Sequence, residues 1–333
     1  MRRALAVALG LALALAPRLS AEESHLLVVV GLGGEPAYTE AFHELAVSMV
    51  SAAEKTLAVP PPNIAYLGEK ATSDAPAYKG RSTRENVQKA LADLARRAQP
   101  DDMVLVLLIG HGSFQAGESR FNLPGPDMTA ADFAPLLDRL PSRRVAFVNT
   151  ASASGEFVKV LAGRGRTIVT ATKSGMEGNE TVFARYFVAA FTEGSADADK
   201  DGRVSVQEAF AYARREVQRF YDKEHRLLTE HAVLSDEGQT VATAGAGPSP
   251  AEGGLARTLF LGPSTPSAAP TSAAGDPARA RLRDQARDLE RRIAALKSRK
   301  AQMAAAPYED ELESLLLELA KSEEALRGHE APR

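Results

Sequence analysis

The tightest constraint on this chain is an alternation, between His25 and Tyr221, of strand-length apolar runs with segments of helical period. His25–Gly31, Asn63–Leu67, Met103–Ile109, Val145–Val148 and Thr167–Ala171 read as five strands, and the longest of them carry no polar interruption. A run apolar at every position suits a strand covered on both faces, whereas a half-exposed strand alternates. Helices fit between them: Ala37–Leu57; a segment opened by Ser82-Thr83-Arg84-Glu85, read as a capping box, with Val87, Leu91, Leu94 and Ala98 at helical spacing; one opened by Thr129-Ala130-Ala131-Asp132 and closed before Pro141; and the short Phe157–Leu161. Two more follow, Thr181–Phe191 ending at Gly194 and one reaching Tyr221. Strands and helices in this order predict an α/β domain with a mostly parallel sheet, right-handed crossovers and helices on both faces. Leu255–Leu261 is expected to add a late strand that closes it.

The 333 residues, 44% of them hydrophobic, suffice for one substantial core. A formal net charge of −3 gives no electrostatic case for nucleic acid, and the absence of cysteine removes disulfides, thiolate metal sites and thiol nucleophiles. Met1-Arg2-Arg3, the apolar run Ala4–Ala16 and Leu19-Ser20-Ala21 read as a leader over residues 1–21, which predicts a periplasmic or extracellular protein. That run is short for a membrane span, and none is expected after cleavage. Residues 22–262 form the α/β domain and the Pro/Ala/Ser-rich stretch 263–277 a linker. In 278–333, Leu282, Leu289, Ile293, Leu296 and Met303 lie on a basic segment, and beyond Pro307 Leu312, Leu315, Leu319 and Leu326 lie on an acidic one. The pattern predicts an antiparallel helical hairpin, with a self-associating long helix as the alternative.

Three places carry possible chemistry. Gly31, Gly33 and Gly34 follow the first strand, but Pro36 and the lack of a downstream acid speak for a tight turn, so no nucleotide cofactor is expected. The third strand ends in Gly110-His111-Gly112 and the fourth in Thr150-Ala151-Ser152-Ala153-Ser154-Gly155. In a parallel sheet this sets an imidazole and a hydroxyl at neighbouring carboxyl ends, with the backbone N–H of Gly112 as an oxyanion donor. Thr172–Thr181 leaves the same sheet edge and is a candidate cleft wall, while His231 beside Glu230 reads as a surface histidine. Third, Asp197-Ala198-Asp199-Lys200-Asp201-Gly202-Arg203-Val204-Ser205-Val206-Gln207-Glu208 fits the twelve-residue EF-hand loop. Asp197, Asp199, Asp201, Ser205, Glu208 and the Arg203 carbonyl fall at its ligand positions, predicting a structural Ca2+ site.

An apolar strand ending in His-Gly, followed by one ending in acidic-Ala-Cys-x-Ser-Gly, resembles the caspase and legumain superfamily of cysteine peptidases over roughly residues 25–262. Leu107–Gly112 matches the histidine motif, and Ala151, Ser154 and Gly155 match the cysteine motif in register. Ser152 stands where that family has its nucleophilic cysteine and Thr150 where it has an acid. The resemblance implies a caspase-like sheet with its site at His111 and residue 152, and the serine implies a pseudopeptidase that binds peptide or protein. The alternatives are a peptidase or transacylase using a Ser152–His111 dyad, and an assembly protein acting through its C-terminal hairpin.

Overall fold

The structure, a computed structural model, describes residues 22–242 except Thr72, residues 254–263, six positions between 282 and 296, and residues 304–328. The expected leader and nearly all of the expected linker lie outside these described residues. Strand β1 (Ser24–Val30) leads through helix α1 (Pro36–Lys55) to β2 (Ile64–Gly68) and β3 (Tyr78–Arg81), and α2 (Arg84–Arg97) leads to β4 (Met103–Ile109). A small antiparallel sheet of β5 (Gly112–Gln115), β6 (Glu118–Phe121) and β7 (Met128–Thr129) follows, then α3 (Ala130–Leu137), β8 (Arg144–Asn149), α4 (Glu156–Leu161) and β9 (Arg166–Thr170). Helices α5 (Phe183–Thr192) and α6 (Val206–Lys223) precede β10 (Val233–Asp236) and β11 (Gln239–Ala242), and α7 (Ala305–Gly328) stands apart at the C-terminal end.

The main sheet has eight strands in the order β11-β10-β9-β8-β4-β1-β2-β3. Its pairs from β3 to β9 are parallel, and β10 and β11 are antiparallel. Every residue of β1 and β4 is buried, and the two faces divide by parity: Leu105, Leu107 and Ile109 pack among α1, α5 and α6, while Val104, Val106 and Leu108 pack among α2, α3 and α4. Each such side chain is worth about 1.5–3 kcal/mol buried. Because both faces are covered, the strand needs no polar alternation, which is why the run reads as continuously apolar.

Three details differ from the sequence expectation. The N-cap of α2 is Thr83, accepting from the Asn86 N–H at 3.3 Å, while Ser82 is buried and donates to the Val30 carbonyl at 2.5 Å, so the Ser82–Glu85 box does not form. Residues 255–261 supply one bridge, Phe260 to Ser205, and no strand. Two of their N–H groups, at Leu255 and Ala256, go to buried Asp236, while the Ala256 and Leu259 carbonyls accept the Gln207 and Val206 N–H groups, and β10 and β11 form the sheet edge. The short strands β3, β5, β6 and β7 have partly exposed or two-residue sequences with little apolar signal.

Candidate functional site

β4 and β8 pair in parallel with Leu108 opposite Asn149, so Gly110-His111-Gly112 and Thr150-Ala151-Ser152 leave the same sheet edge side by side. The Thr150 N–H continues the pairing onto the Leu108 carbonyl at 3.1 Å, and the Thr150 hydroxyl donates to the same oxygen at 2.7 Å. Ser152, 4% exposed, then reaches across: its Oγ accepts the Gly112 N–H at 3.2 Å and donates to the Gly112 carbonyl at 3.1 Å. A Cβ on Gly112 would run into the Ser152 carbonyl oxygen and lie 2.9 Å from that of Arg120, so only glycine permits this approach.

His111 takes no part in that staple. Its ring meets Tyr38 edge-on at 4.8 Å between centroids and Phe42 at 5.0 Å, while its carbonyl accepts the Asn122 N–H at 3.0 Å. Both rings come from α1, so the helix after β1 lies alongside the imidazole. Tyr38 donates its hydroxyl to Glu180 at 2.7 Å, and that carboxylate raises the phenol above its ordinary value. Neither aromatic carried a sequence signal beyond its place on an amphipathic helix.

The segment after β9, expected as a cleft wall, is fastened at several points. Gly155 lets the Lys173–Ser174 backbone pass where a Cβ would collide, and the Thr172 hydroxyl accepts the Gly155 N–H at 3.1 Å and lies 3.2 Å from Ser154 Oγ. Gly175 abuts the Phe114 ring of β5, which ties the small sheet to this wall. Ala153 adopts φ +52°, a left-handed conformation costing an alanine about 1–2 kcal/mol, and its N–H donates to the Glu177 carbonyl at 2.7 Å. The Glu177 carboxylate in turn holds His231, through Nδ1 at 2.6 Å and the backbone N–H at 3.2 Å. His231 is thus a bonded part of the wall, which adjacency to Glu230 did not reveal. Glu230 is 3% exposed and accepts the Val182 and Phe183 N–H groups at 2.8 and 3.2 Å, capping α5 from outside the helix. Burial pushes its carboxyl up to about 7 from the usual 4.5, although these N–H groups favour the charged form.

The acidic loop lies between α5 and α6. Asp197, Asp199 and Glu208 each offer a carboxylate oxygen within 4.8 Å of the others, and crowding by desolvation and by Glu208 and Asp201 pushes Asp199 up to about 7. Asp197 accepts the Asp201 and Gly202 N–H groups at 3.0 and 2.8 Å, with Gly202 at φ +86°, so the turn closes on its first carboxylate. Asp201 accepts the Arg203 N–H at 2.8 Å. Ser205 and Glu208 form a reciprocal capping box at the start of α6. The entering helix α5 ends at Thr192, short of Asp197. Three of the six expected ligands are therefore drawn together; Ser205 is turned to Glu208, and the Arg203 guanidinium lies 4.1 Å over the Phe260 ring. The glycines after β1 serve packing: a Cβ on Gly31 would meet the Asn122 carbonyl at 2.5 Å, and one on Gly33 would meet the Thr39 N at 2.5 Å.

No family model and no curated protein matches this chain. Among solved structures, the crystal structure of Raptor from Chaetomium thermophilum aligns with a TM-score of 0.36 at 16% identity, covering 54% of this chain and 18% of that one. The chain spans less than a fifth of that protein's length, and a likeness of this degree assigns neither fold nor function.

Proposed function

We propose that this protein is an exported, caspase-like or legumain-like pseudopeptidase whose strand-end cleft binds peptide or protein without cleaving it. The observation that carries the reading is the Ser152 hydroxyl, engaged on both backbone groups of Gly112 while the His111 ring packs edge-on against the Tyr38 and Phe42 rings. A serine nucleophile needs a base within hydrogen-bond reach, itself oriented by a third group. Here the hydroxyl proton goes to a carbonyl, and the Gly112 N–H that an oxyanion would need is given to Ser152. The segment after β9 is fastened at several points, which suits recognition better than turnover.

Two further features belong to this reading. The loop Asp197–Glu208 holds a structural Ca2+: the three gathered carboxylates suit a hard cation, and Asp201, Ser205 and the Arg203 carbonyl complete the set on closure. Residues 278–333 form a helical hairpin, supported by the contact of Leu289, Ile293 and Leu296 with Tyr308 and Leu315 of α7. Among the described residues no helix is long and apolar enough to cross a membrane.

The test is direct. Purified protein incubated with a mixed peptide library and with a fluorophosphonate probe should show neither turnover nor labelling of Ser152. Labelling at Ser152, with turnover abolished by both Ser152→Ala and His111→Ala, would establish the dyad enzyme instead.

A further inference from the structure

Near the C-terminal end the described residues form one small apolar cluster of their own. Five buried side chains, Leu289, Ile293, Leu296, Tyr308 and Leu315, with Leu312 and Leu319 packed against them, make up this cluster, and none of them belongs to the two clusters of the α/β domain. The buried seam of α7 recurs at Tyr308, Leu312, Leu315, Leu319 and Ser322, in steps of four and three.

A second surface lies about 130° round the same helix. Leu316 and Leu317 are 46% and 55% exposed, two of the few large apolar side chains left open in the described residues. At about 100° per residue, Glu309, Glu313 and Ala320 fall between them and Asp310 beside Leu317, all exposed. The face is therefore two leucines set in a carboxylate stripe, and its complement is a segment with both aliphatic length and positive charge. The chain carries one. Residues 278–300 hold nine Arg and Lys against three acidic residues, whereas 305–328 hold seven Asp and Glu against Lys321 and Arg327. The apolar side of that basic segment, at Leu289, Ile293 and Leu296, is already taken by its own α7, while Arg292 on its other side is exposed. Arginine stems lie along apolar surface while their charged heads reach neighbouring carboxylates.

Resting on the hairpin reading above, we propose that the Leu316–Leu317 face of α7 receives the basic segment of a second copy of this chain. The contact is reciprocal: each acidic helix then packs between its own basic segment and the partner's, which closes a two-fold dimer as a four-helix bundle. The charge pattern opposes a parallel pairing of two α7 helices, since that would set Glu309 and Glu313 against their own copies.

Sedimentation of the full chain over a range of concentrations tests this, with helix content followed by circular dichroism. The expected result is a dimer that weakens with added salt and becomes monomeric in Leu316→Glu/Leu317→Glu, with helix content unchanged; Glu309→Lys/Glu313→Lys weakens it likewise. A monomer at every concentration, or a dimer that survives the double leucine substitution, would overturn the proposal. The hairpin itself is judged separately: Leu315→Asp, in the buried seam, should lower the helical signal, and an unchanged signal would remove the hairpin reading rather than the choice of face.

Discussion

Replacing Glu230 with Gln probes the one buried carboxyl that joins the site's wall to the helix behind it. The side chain is 3% exposed, accepts two N–H groups at the start of α5 and lies near the Glu177 carboxylate. Its carboxyl is pushed from 4.5 to about 7, chiefly by burial. At 1.36 kcal/mol per pH unit this displacement corresponds to about 3 kcal/mol. The sign follows from proton counting. Between pH 4.5 and 7 the folded chain holds the Glu230 proton and the unfolded chain has released it, so this group's contribution is fully present below pH 4.5, declines as pH rises and is gone above about 7. Glutamine keeps the shape and cannot ionise. Urea unfolding of both proteins from pH 4.5 to 8 should therefore show the variant gaining on the parent by about 3 kcal/mol across that interval, since every other titrating group is common to both and cancels. At the acid end the variant should be the less stable by about 1 kcal/mol, because an amide presents one acceptor to two N–H donors. A stability difference that does not move with pH would refute the argument. A parent that gains on the variant as pH rises would show that the helix N–H groups hold the carboxylate charged against its burial.

The remaining predictions concern the staple and the loop. Ser152→Ala removes both bonds to Gly112 and should cost about 1–3 kcal/mol in urea unfolding, more than a spectator surface serine would. Gly112→Ala forces the Ser152 and Arg120 backbones apart and should destabilise by about 1–3 kcal/mol, with local amide exchange accelerated around residues 110–113 and 150–153. Calcium at a hundredfold excess over its dissociation constant should stabilise the fold by about 2.7 kcal/mol, read as a higher melting temperature that a chelator reverses and Asp199→Asn abolishes; an unchanged midpoint would exclude a stabilising ion.

Much of the scaffold is legible in the residues, because long-range burial leaves a local trace when both faces of a strand are covered. The apolar runs at 25–31, 103–109 and 145–148 could be little else, and the periodic segments between them had to be crossover helices. The placement of His111 and Ser152 at adjacent strand ends follows from the same logic, since parallel strands put their carboxyl ends on one edge. The helix start at Thr129 was equally local, and a capping box forms there. What misled were choices settled by competition between distant groups. Asp236 claims the N–H groups of residues 255 and 256, where no strand forms, and the Val30 carbonyl claims Ser82 and shifts a cap by one residue.

The sequence by itself determined the class of fold, the common sheet edge of His111 and Ser152 and the absence of every thiol, because these depend on composition and on period along the chain. Only the tertiary structure decided what the hydroxyl at 152 is bonded to, which rings pack against His111, and that Glu177 holds His231 while Glu230 caps α5. The physical reason is one of range. A hydrogen bond forms over about 3 Å, and which of several competing donors reaches a given acceptor depends on how helices, strands and loops far apart in the chain are packed together.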